Sequence, residues 1–105
     1  MKKIKLADDE IEFLYSNIGV YTVYTNKELR NLIECCIKIL GDKCNLNWID
    51  TSKITDMTQI FYNTIFDGDI SKWDVSNVTT MELMFSDSLF TRDISNWDVS
   101  NVSNM

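Results

Sequence analysis

The side chains best suited to covalent chemistry in this 105-residue chain are three cysteines, Cys35, Cys36 and Cys44. The chain has no histidine, which excludes histidine-dependent triads, histidine general bases and histidine metal ligands. Cys35, with Lys38 about one helical turn further on, is the one nucleophile that the sequence offers, but cysteine catalysis usually needs a paired base. We therefore expect no enzymatic activity.

The number and spacing of the cysteines also bear on disulfides and cofactors. An odd number without a C-x-x-C pair is typical neither of a disulfide framework nor of a zinc site. We predict reduced thiols in a reducing compartment, with a Cys36–Cys44 bridge as the alternative. The chain has only three glycines and no phosphate-cradling glycine-rich loop, so we expect no cofactor.

Three aspartates, Asp50, Asp74 and Asp98, recur at intervals of 24 residues. If they lie side by side, their carboxylates repel one another, and turn N–H groups, water or a cation must compensate. Asp suits turn capping, which is the simpler interpretation. A calcium site is the alternative, because 67–69 reads Asp-Gly-Asp, but the EF-hand spacing and its closing Glu are missing. We predict capped turns and no metal.

Charge is divided unequally along the chain. Residues 1–44 contain seven acidic and seven basic residues, whereas residues 45–105 contain nine and three, so the whole net charge of −6 lies in the second part. That part should repel nucleic acid and attract a protein with a basic surface, although solubility is the simpler interpretation. No apolar run approaches the ~18 residues of a membrane span, and no signal peptide is recognisable. We expect a cytoplasmic protein, or a bacterial surface protein if the chain is a fragment.

An internal repeat organises the second part of the chain. Residues 66–81 and 90–105 are identical at 11 of 16 positions with an offset of 24, and the same offset relates 45–68 to 69–92 more weakly. We divide the chain into an N-terminal segment, 1–44, and a repeat region, 45–105. The repeat region consists of unit 1 (45–68), unit 2 (69–92) and a truncated unit 3 (93–105). A period in the twenties is typical of solenoids with one strand and one short helix in each coil.

The pattern within unit 2 matches such a coil. Trp73 and Val75 alternate with polar residues, which predicts a strand over 69–75. Ser76 and Asn77 are N-cap residue types, and apolar residues from Val78 onward follow helical spacing, so we predict a short helix that fades by residue 86. The expected fold is α/β: a short right-handed leucine-rich-repeat-like solenoid, capped by an N-terminal α/β segment.

Stacked units bring equivalent side chains together in ladders, because neighbouring parallel strands lie only ~4.8 Å apart. We expect these ladders to fill the core, with Trp73 beside Trp97, Phe61 beside Phe85, and Met57 beside Met81 and Met105. The alternative is that the tryptophans are exposed binding anchors.

The N-terminal segment supplies the predicted cap. Thr25 and Glu28 form a capping-box pattern, an apolar face follows, and Gly41 is a natural stop, so we predict a helix over 26–40 that shields the first unit. Residues 20–24 are rich in valine and tyrosine and predict a strand. Residues 8–17 predict a short helix.

The repeated segment 69–81, Asp-Ile-Ser-Lys-Trp-Asp-Val-Ser-Asn-Val-Thr-Thr-Met, and its copy at 93–105 resemble the repeat of BspA-like proteins. This leucine-rich-repeat-like family is also called the mycoplasma-type lipoprotein repeat. Residues 46–57 resemble its first repeat, and 25–40 its capping helix. The resemblance implies a non-enzymatic solenoid used for adhesion or protein binding, and it supplies no catalytic residues.

Two functions follow from these patterns. The first is a protein-binding module without catalysis. The second is a small acidic intracellular inhibitor of a nucleic-acid-handling enzyme, of the anti-CRISPR type, encoded by a phage or mobile element. The sequence leaves the core open where unit 3 is truncated, which predicts a docked partner or a homodimer there. The predicted partner-binding residues are Asp74, Asp87, Asp98, Trp97 and Met105.

Overall fold

The computed structural model describes residues 21–104, and within them it contains two short strands and one helix. Strand β1 is Tyr21–Thr22, helix α1 is Asn26–Leu40, and strand β2 is Ile49–Asp50. The two strands pair in parallel, with Tyr21 opposite Ile49. The predicted helix over 8–17 and the predictions for Met105 lie outside the described residues. No described helix is long and apolar enough to cross a membrane.

Helix α1 has the predicted bounds because both of its ends are capped. The Thr25 hydroxyl accepts a hydrogen bond from the Glu28 N–H at 3.1 Å, and the Glu28 carboxylate accepts from the Thr25 N–H at 3.2 Å. Gly41 ends the helix with a φ of 96°, a conformation that glycine adopts without strain. The buried face of the helix, Leu29, Leu32, Ile33 and Cys36, covers one end of the core.

The repeat units lie side by side, joined by parallel backbone contacts. Isolated bridges connect Asn45 with Asp69, Asp56 with Thr80, and Thr80 with Asn104. The side chain of Asn26 fastens helix α1 to unit 1, since its amide donates to the carbonyls of Asp56 and Thr58 at 3.1 and 3.0 Å.

The strand and helix that we predicted inside each unit are not observed between residues 51 and 104, where the chain forms turns. The helix fails because Leu83 and Asp87 have φ values of 58° and 56°, as do Gln59 and Asn63 of unit 1 at 57° and 55°. A residue with positive φ interrupts a right-handed helix. The predicted strand over 69–75 fails because tight turns close at Trp73 and again at 78.

The predicted N-cap role of residue 77 is also wrong. The Asn77 side-chain amide donates to the Ser52 carbonyl of the preceding unit at 2.8 Å, and Asn101 donates in the same way to Ser76 at 2.6 Å. These amides therefore join units to one another instead of capping a helix.

Aromatic rings at equivalent positions of neighbouring units stack in the interior. The rings of Trp73 and Trp97 stack with centroids 6.4 Å apart, and those of Phe61 and Phe85 stack at 5.6 Å. Both tryptophans are buried, as are Phe61, Met57 and Met81, while Phe85 is half-buried. The right-handed solenoid and the unit boundaries stay predictions.

Candidate functional site

An apolar groove of about 670 Å³ lies along the side of unit 2 that faces away from unit 1. One wall comes from residues 81–86 and the other from residues 94–99. The groove is lined by Met81, Leu83, Met84, Phe85, Ser86, Ile94, Ser95, Trp97 and Val99. All but the two serines are apolar, so the groove suits an apolar ligand surface.

Buried side chains form the floor of the groove and exposed ones form its rim. Met84 and Trp97 are only 2% and 8% exposed, whereas Leu83 and Val99 are 48% and 36% exposed. The indole N–H of Trp97 donates to the Ile70 carbonyl at 3.0 Å, which holds the ring in a single orientation. The groove therefore combines a rigid floor with apolar rim groups that are open to a partner.

The three aspartates in register are all turn-capping residues. One carboxylate oxygen each of Asp50, Asp74 and Asp98 accepts the backbone N–H of the serine two residues further on, at 3.0 Å in every case. Hydrogen bonds from this serine lower the pKa of each carboxyl. No group of three or more metal-ligating side chains occurs within residues 21–104. These side chains thus form an ionised row in which Asp74 and Asp98 are exposed and Asp50 is half-buried.

The predicted partner-binding residues are only partly brought together. Trp97 lies in the groove, and Asp98 and Asp87 directly follow lining residues in the chain. Asp74 is not among the lining residues, and Met105 lies outside the described residues. The aspartates are therefore at most rim groups.

The sequence analysis missed Leu83, which forms the rim together with Val99. One signal for Leu83 was available, because unit 1 carries the polar Gln59 at the equivalent position. An exposed leucine that replaces a polar residue in one unit of a repeat marks a local departure from the structural pattern.

Two of the three cysteines, Cys36 and Cys44, are buried thiols. All three are free, so the Cys36–Cys44 bridge is not observed. Burial raises the pKa of Cys44 to about 11 and raises the pKa of Cys36 well above its usual range. Both thiols are therefore protonated at neutral pH and poor nucleophiles.

Comparison with known proteins identifies one family. A family model described as "Mycoplasma protein of unknown function, DUF285" matches residues 27–105, which include helix α1 from its second residue onward and the whole repeat region. No curated protein and no solved structure matches the chain.

Proposed function

Since the chain belongs to the DUF285 family of mycoplasma proteins, we propose that it is a non-enzymatic protein-binding module of the BspA-like repeat type. The observation that carries this proposal is the apolar groove beside unit 2, with Leu83 and Val99 exposed at its rim. Contiguous apolar patches on a protein surface are typical of binding sites.

The polarity of the groove favours a polypeptide over a small metabolite. Small-molecule sites usually carry several convergent polar groups that fix the ligand's orientation. Here only Ser86 and Ser95 contribute polar side chains to the lining. A polypeptide gains its affinity from apolar anchors in such a groove and its orientation from the backbone.

The charge of the repeat region favours a basic partner. Asp74 and Asp98 are exposed and Asp50 is half-buried, and their lowered pKa values keep the three carboxylates ionised at neutral pH. Such a field speeds association with a positively charged surface and makes it dependent on salt.

Peptide selection tests the proposal. The full chain is presented to a displayed library of random peptides, and the selected peptides are measured against two variants, Leu83→Asn and Ile65→Asn. Asn tolerates positive φ, so Leu83→Asn removes an apolar rim group while keeping the backbone geometry. Ile65 is 56% exposed and lies outside the groove lining, which makes Ile65→Asn the matched control.

We expect peptides whose affinity falls about tenfold with Leu83→Asn, because roughly half of a leucine side chain leaves the contact. Ile65→Asn should leave the affinity unchanged. Selection of no peptides, or of peptides that ignore the Leu83 change, would contradict the proposal.

A second proposed function is the acidic inhibitor of a nucleic-acid-handling enzyme, which the ionised aspartate row favours. In this case the row, and not the groove, occupies a basic nucleic-acid-binding surface. The combined change of Asp50, Asp74 and Asp98 to Asn should then weaken binding to such an enzyme and flatten its salt dependence, measured by titration calorimetry at two ionic strengths. Unchanged binding and salt dependence would dismiss charge mimicry.

A further inference from the structure

We draw no further inference here: the strongest candidate, the exposed apolar pair formed by Ile65 of unit 1 and Leu89 at the equivalent position of unit 2, carries nothing, because no feature of residues 21–104 shows what covers it.

Discussion

The two buried tryptophans Trp48 and Trp73 provide a matched test of what the indole hydrogen bond contributes. They are 7% and 4% exposed, so both rings are almost fully removed from water. The indole N–H of Trp73 donates to the Leu46 carbonyl at 2.8 Å. The indole N–H of Trp48 is buried, and no described residue accepts from it.

Replacing each ring with Phe should therefore have different consequences. Trp73→Phe loses a buried hydrogen bond worth about 1 kcal/mol and leaves a gap that costs about 1 kcal/mol more, so the free energy of unfolding should fall by about 2 kcal/mol. Trp48→Phe leaves a similar gap but removes an unsatisfied donor whose burial costs about 1–3 kcal/mol. Its net effect should be close to zero.

Guanidinium unfolding followed by far-ultraviolet circular dichroism measures both free energies, provided that the slope of the transition stays constant. Trp97→Phe is the control, because the Trp97 indole donates to the Ile70 carbonyl and this variant should resemble Trp73→Phe. Equal destabilisation by Trp48→Phe and Trp73→Phe would refute the reasoning, since the indole hydrogen bond would then contribute nothing.

Three further predictions concern close packing, thiol reactivity and acid stability. Gly68→Ala should lower the free energy of unfolding by about 3 kcal/mol in denaturant titration, because its Cβ would lie 1.9 Å from the Cys44 carbonyl oxygen. Native protein at pH 8 should react with iodoacetamide at Cys35 alone, because Cys36 and Cys44 are buried and their pKa values are raised. The pKa of Asp74 lies below its ordinary value of 3.8 in the folded chain, so its contribution is present above pH 3.8 and is lost as pH falls through the folded pKa. The melting temperature should therefore drop in this acidic range.

Each of these predictions has its own control. The Cβ that Gly41→Ala adds would meet no atom within 4 Å. This variant should lower the free energy of unfolding by only about 1 kcal/mol, because of the positive φ of 96°. In guanidinium all three cysteines should react, and mass spectrometry that finds Cys36 alkylated in the native state would contradict the burial argument. Ser76→Ala removes the hydroxyl donor to Asp74 at 2.6 Å and should make the acid transition shallower. If the acid transition of Ser76→Ala is unchanged, carboxyl groups other than that of Asp74 determine it.

Local patterns in the sequence determined the features that depend on neighbouring residues. The capping box of Thr25 and Glu28 and the stop at Gly41 predicted helix α1 correctly, because capping satisfies hydrogen bonds within a few residues. Each of the three aspartates is followed two positions later by a serine. This pattern likewise predicted capped turns, which the structure contains. Such features need no distant partner.

The tertiary structure alone decided what the backbone does inside the repeat units. The spacing of apolar residues from Val78 onward is compatible with a helix and with a set of turns, because both place the same side chains inward. The choice depends on where the N–H groups of the neighbouring unit find acceptors, and in the turns over residues 82–87 the Met84 carbonyl accepts from the Phe61 N–H at 2.9 Å. Contacts between units, which no window of sequence contains, therefore set this backbone and with it the groove.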